Sequence, residues 1–229
     1  MKKIPALALA VLSAFIFVIS ARANSPELEL AQAHGLEDWP NVEALEFTFQ
    51  VNREPPVVRH WRWDVSGNQV TQTINGSSHT IQLDAFEGEK DTKVHSQFIN
   101  DKFWLLFPFS IVWSAPTVTD HGKVEIEISG QMVEVQKLTA LWPNEGGYTP
   151  GDAYDLFIAD DAEILGWTFR RANAPEGKFF AWKDEVQLGM LRISQSRYLE
   201  GSDEPLIELK DLRLKVAGQT NWIEPTARD

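Results

Sequence analysis

From Leu45 onward the chain alternates apolar and polar residues, and nearly every alternating run stops at a turn signal. Leu45, Phe47, Phe49 and Val51 are separated by Glu46, Thr48 and Gln50, which puts the apolar set on one face of a strand. A period of two does not suit a helix, so this pattern commits the body of the chain to β-structure. Residues 58–65 place Trp61 and Trp63 on one side with Arg59, and Ser66-Gly67-Asn68 connects them to 70–74. Asn75-Gly76 then leads into 78–83 as a two-residue hairpin connector. Asn75-Gly76-Ser77 also matches a glycosylation sequon, but Asn-Gly between two alternating runs already has a reason to exist as a turn.

The later runs repeat the arrangement. Residues 124–128 turn at Ser129-Gly130 into 132–138, and 154–159 turn at Asp160-Asp161 into 163–171. A short run covers 179–183, and 186–199 turns through Gly201-Ser202-Asp203 into 206–216. The expected fold is mainly β (α+β): a curved antiparallel sheet or open barrel of about ten or eleven strands, with short helices to cover it. Helical spacing appears at 25–44, where His34-Gly35 reads as a stop and Pro40 interrupts, and again at about 93–100. Residues 103–107 fit a buried strand or a short helix, and Pro108 argues against one continuous element there. Residues 221–229 read as a loose tail.

The N-terminus has another purpose. Lys2 and Lys3 precede an almost wholly apolar run over 4–19, and Ala21-Arg22-Ala23 offers small residues where a signal peptidase reads. The expectation is a signal peptide over 1–23, one domain over 24–220, and a periplasmic protein. The rival, an uncleaved anchor, has an apolar run at the short end of what a spanning helix needs, with Pro5 near its start. With no cysteine, no disulfide supports the fold and no lipoprotein thiol exists. Removing three basic residues and no acid takes the net charge from −12 to about −15, which disfavours nucleic acid and anionic membrane surfaces.

Catalytic patterns are missing. His34, His60, His79, His95 and His121 do not form an H-E-x-x-H motif, and no G-x-S-x-G, S-x-x-K, P-loop or G-x-G-x-x-G occurs. Asp152, Asp155, Asp160, Asp161 and Glu163 fit calcium in type but not in spacing, and Asp160-Asp161 suits a hairpin tip. Asn100-Asp101 reads as a cap or turn, or as polar groups at a pocket mouth. Arg170-Arg171 reads as at least one strand residue paired with an acid. The chain is expected not to be an enzyme and to need no cofactor.

Nine tryptophans remain to be explained. An aromatic sheet face can fill its own core, or it can line a cavity for an apolar ligand. By alternation the candidate lining residues are Phe47, Phe49, Trp61, Trp63, Trp104, Phe107, Trp167 and Phe169.

Three stretches carry a resemblance. They are Ala33-His34-Gly35-Leu36 with Trp39; Phe98-Ile99-Asn100-Asp101-Lys102-Phe103-Trp104-Leu105-Leu106-Phe107-Pro108; and Gly146-Gly147-Tyr148-Thr149-Pro150-Gly151-Asp152-Ala153-Tyr154-Asp155. In these the chain resembles a group of exported bacterial proteins that is similar to the periplasmic lipoprotein carriers of the LolA/LolB type. The resemblance implies an unclosed half-barrel whose helices lie as a lid over an apolar cavity, an acyl chain or lipoprotein as partner, and no catalytic residues. No position here is identifiable as the carriers' lid-locking arginine or as the acceptor's membrane-inserting loop. The function expected is non-catalytic binding of an acyl chain or other lipophile. The rivals are an envelope scaffold with a filled core, and a hydrolase whose residues to inspect are His60 and His95.

Overall fold

The computed structural model describes residues 25–128, 130–145 and 150–228. The expected signal peptide, Ser129 of one expected turn, and Gly146 to Thr149 of the third stretch lie outside the described residues. The chain opens with helix α1, Pro26–Ala33. Pro26 lies in its first turn, where a missing N–H costs nothing, and Glu27 and Glu29 sit at the positive end of the helix dipole. The helix stops at Gly35, which has φ +98° and donates to the Gln32 carbonyl. A Cβ there would lie 2.2 Å from the Met190 carbonyl oxygen, so the stop also needs glycine for space. The expected helix over 25–44 is therefore cut short: a 3₁₀ segment, Leu36–Asn41, follows, and the first strand begins at Val42.

Eleven strands form one antiparallel path: β1 (Val42–Val51), β2 (Val57–Asp64), β3 (Gln69–Ile74), β4 (Ser77–Gln82), β5 (Thr117–Ile128), β6 (Gln131–Leu141), β7 (Ala153–Ile158), β8 (Ile164–Arg170), β9 (Lys178–Leu188), β10 (Leu191–Leu199) and β11 (Ile207–Val216). Their order is β4-β3-β2-β1-β11-β10-β9-β8-β7-β6-β5, and β12 (Thr226–Ala227) pairs with β9. The path is open at β4 and β5, so the sheet is the expected half-barrel, unclosed. Asn75 and Gly76 both take positive φ, as a type I′ hairpin requires. The expected single run over 186–199 is two strands, because Gly189 at φ +62° turns the chain between β9 and β10.

Two further segments are settled, one left open by the sequence and one expected to be loose. The ambiguous aromatic stretch is helical: α2 spans Gly88–Leu105 and α3 spans Phe107–Ser114. Val94, Phe98, Asp101 and Leu105 form the buried stripe of α2, at helical spacing. Pro108 breaks the element as expected, because it has no N–H to give the Trp104 carbonyl four residues back. The C-terminal residues are not loose. Ile223 exchanges two backbone hydrogen bonds with Leu214, Thr226 and Ala227 add to β9, and Arg228 reaches Glu185 at 2.5 Å.

The core lies between the concave sheet face and the helices, in two parts. One packs β1–β4, β10 and β11 against α2 and α3, and holds Phe47, Phe49, Trp61, Trp63 and Phe98. The other packs β6–β9 against α1 and α3, and holds Phe107, Trp142, Tyr154, Trp167 and Trp182. Trp104 touches both. The ladder between β10 and β11 is short, Ser196↔Glu208 and Arg197↔Ile207, so the halves of the sheet join near Arg197. The opposite face carries ion pairs instead. Burial alone would raise Asp155, but Arg170, Thr139 and Lys137 hold its carboxyl below the usual range. Burial would likewise raise Glu185, and His34 and Arg228 hold it low.

Candidate functional site

The eight nominated rings all lie in the apolar layer, six of them buried and Trp104 and Phe169 partly exposed. The structure brings Trp104, Phe107 and Trp167 into direct contact, with ring centroids 4.7 Å and 4.5 Å from Trp167. Phe169 joins them through Tyr154, at 5.1 Å. Trp61 and Trp63 meet on Phe98 instead, at 5.4 Å and 5.3 Å. Phe103, Tyr154, Phe180 and Trp182 belong to the same layer and were not nominated. Strand alternation places Tyr154, Phe180 and Trp182, but Phe103 depends on the helical reading of 103–107, which periodicity left open.

Two charged side chains hold the covering helix α2 to this floor. Asp101 is fully buried in mid-helix and is not a cap. It accepts two 2.6 Å hydrogen bonds from Arg59 of β2 and one of 2.7 Å from the Trp61 indole. Burial pushes its carboxyl upward, against the pull of Arg59. Arg59 also lies over the Phe49 ring at 5.0 Å. The second anchor is Arg197 of β10, 0% exposed. Its Nη2 donates to the Trp104 carbonyl at 3.0 Å, the acceptor that Pro108 leaves without a helical partner. Its Nη1 donates to the carbonyls of Ser194 and Ser196 and to the Ser194 hydroxyl. The guanidinium stacks on Trp182 at 3.6 Å. Burial pulls it down to about 9, so it stays a cation at neutral pH.

Sequence reasoning left out both roles. Arg59 was placed on its strand, but its partner lies 42 residues away. For Arg197 one signal existed: a proline four residues after Trp104 announces an orphaned carbonyl that something must satisfy.

Two cavities lie elsewhere. One of about 290 Å³ opens between the start of α1 and strands β6 and β7, lined by Pro26, Leu30, Leu138, Ile158 and Ala162 among others. Leu30, Leu138 and Ile158 on its wall belong to the second core part. The other, about 400 Å³, lies on the opposite sheet face among Glu46, Thr48, His60, Asp211 and Arg213. There the Thr48 hydroxyl donates to Asp211 at 2.7 Å and lies 2.6 Å from His60 Nδ1. The carboxylate holds the hydroxyl rather than the imidazole, so the order needed to make His60 a base for Thr48 is absent. His95 stacks on Phe86 at 4.2 Å, and burial and then the Lys102 charge lower its proton affinity. Asp161 accepts from the Glu163 amide and pairs with Arg192 and Arg228, which is turn chemistry. No metal-holding group of three His, Asp or Glu occurs among the described residues, and none of their helices is long and apolar enough to cross a membrane.

No protein-family model matches the chain, and no curated protein does. Among solved structures, a DUF1329 family protein from Desulfovibrio piger superposes with a TM-score of 0.43 at 11% identity, over 85% of this chain and 95% of that one. A domain assigned to outer membrane lipoprotein sorting, from Vibrio parahaemolyticus, gives 0.42 at 10% identity over 84% and 94%. Lipoprotein LppX of Mycobacterium tuberculosis gives 0.26 at 9% identity over 63% and 89%. Likenesses at this level do not carry an activity from one chain to another.

Proposed function

We propose that the protein binds an acyl chain or similar lipophile outside the cytoplasm, as a non-catalytic carrier or store, and that lipid or lipoprotein is its partner. The observation that carries this reading is the way α2 is fastened. A helix meant only to complete a core needs apolar contact, and replacing buried charges by well-packed apolar groups is often neutral or stabilising. Here α2 lies on an aromatic floor and is fixed at two neighbouring points, the Asp101 carboxylate and the Trp104 carbonyl. A few directional bonds that break together are the fastening that a cover with a closed and an open state requires. The basic and apolar N-terminus with its Ala-x-Ala site supports export.

A second reading has its own observation. The nominated rings pack on one another, as a filled scaffold core would. Native mass spectrometry separates the two. The protein is expressed with its N-terminal segment, purified from the envelope fraction, and extracted for lipid analysis. An acyl-containing species near one per chain is expected. A bare mass that gains nothing on adding fatty acid or phospholipid would sink the carrier reading and leave the scaffold.

A further inference from the structure

The middle of the apolar layer holds hydrogen-bond donors that have no acceptor among the described residues. Arg197 is completely buried, and no carboxylate pairs with it among the described residues. Its Nε–H has no acceptor there, nor do the indole N–H groups of Trp167 and Trp182. These donors are neighbours: the guanidinium lies on Trp182, and Trp182 meets Trp167 at 5.2 Å. Buried donors are nearly always satisfied in native structures, and a buried cation without a counter-charge is costly. Two orphan indole N–H groups beside an uncompensated cation with one orphan N–H of its own make a site whose complement is an oxyanion.

The geometry points to Arg197, Trp167 and Trp182 as the receiving site for the oxyanion head, carboxylate or phosphate, of a single-chain amphiphile. This rests on the carrier reading above and specifies its ligand. The head supplies the missing negative charge and the acceptors for Nε and the two indoles. The tail lies along the rings of Trp104 and Phe107 after α2 lifts. Arg197 cannot serve the Trp104 carbonyl and a charged head equally well, so the arriving head competes for the bond that holds the cover. A neutral apolar guest brings no such competitor and leaves the cation unpaired.

The test is titration of the full chain with 9,10-dibromostearic acid and, separately, with its methyl ester, read as quenching of tryptophan fluorescence. The acid is expected to bind at least about tenfold more tightly than the ester, as hydrogen bonds to a charged group imply. Trp167→Phe and Trp182→Phe, which keep the ring and remove the N–H, each weaken the acid severalfold and leave the ester unchanged. Arg197→Gln removes the preference for the acid; should it fail to fold, the wild-type comparison still decides. Displacement of the bound acid by palmitate or by lysophosphatidate distinguishes a carboxylate site from a phosphate site. Equal affinity for acid and ester overturns the oxyanion site while the carrier reading stands. No quenching by either overturns both.

Discussion

Asp101→Asn tests whether α2 is fastened mainly by charge. The carboxylate accepts four bonds, two from Arg59, one from Trp61 and one from the Asn100 amide, with no exposure to water. Asparagine keeps one acceptor oxygen, enough for Trp61 and one guanidinium N–H, and turns an NH₂ group towards the other. Arg59, whose side chain is 12% exposed, is left as a poorly paired buried cation. Breaking a buried pair by removing one partner costs about 3–5 kcal/mol. In a domain of this size that lowers the melting temperature by roughly 6–20 °C. The double variant Arg59→Met/Asp101→Leu removes both charges and should recover to within about 1–2 kcal/mol of the parent, giving a coupling energy near 2 kcal/mol or more. Urea unfolding followed by tryptophan fluorescence measures the parent, Asp101→Asn, the single variants Arg59→Met and Asp101→Leu, and the double variant. If Asp101→Asn costs under about 1 kcal/mol, or the two positions prove additive, the pair does not fasten the helix and the reasoning fails.

Gly35→Ala is expected to cost about 3 kcal/mol or more, from a left-handed backbone and a Cβ driven into Met190; thermal melting of the purified variant measures it. Deleting 222–229 should lower stability by about 2 kcal/mol, since it removes the Ile223 bridge, β12 and the Arg228 pair with Glu185; an unchanged urea midpoint would show these contacts to be idle. The carboxyls of Asp155 and Glu185 are held below their ordinary range, so their pairs contribute stability above about pH 4.5 that is lost as pH falls through their folded values. Melting temperature against pH should therefore drop on the acid side, and Asp155→Asn should flatten that drop while lowering the neutral plateau.

What could be read from the sequence follows the range of the interaction. Strand faces and hairpins were legible, because side-chain alternation and turn residues such as Asn75-Gly76 act over a few positions. The aromatic floor was legible on the strands for the same reason. The missed features depend on distant partners. Asn100-Asp101 read as a cap or turn, or a pocket mouth, because Arg59 reaches Asp101 only from β2, and Arg197 drew no reading because its Trp104 partner lies 93 residues away. The tail looked loose because Ile223 and Arg228 carry no periodic signal; their partners are on β11 and β9. The turn at Gly189 was lost because β9 and β10 are both apolar enough to read as one run.

The pairing of β1 with β11 has a consequence for how the molecule is assembled in time. Val42 meets Val216 and Val51 meets Ile207, so the middle of the sheet is closed by segments from near opposite ends of the described chain. Everything on the β4 side depends on a strand made about 150 residues after β1. The four-stranded patch β1–β4 can form early, but its inner edge stays open until β11 has been made, and an open edge invites pairing with other chains. Contacts this far apart in sequence also slow folding, because a long loop must close before they form. The edge of the β1–β4 patch is therefore most open to pairing with other chains in the interval before β11 docks.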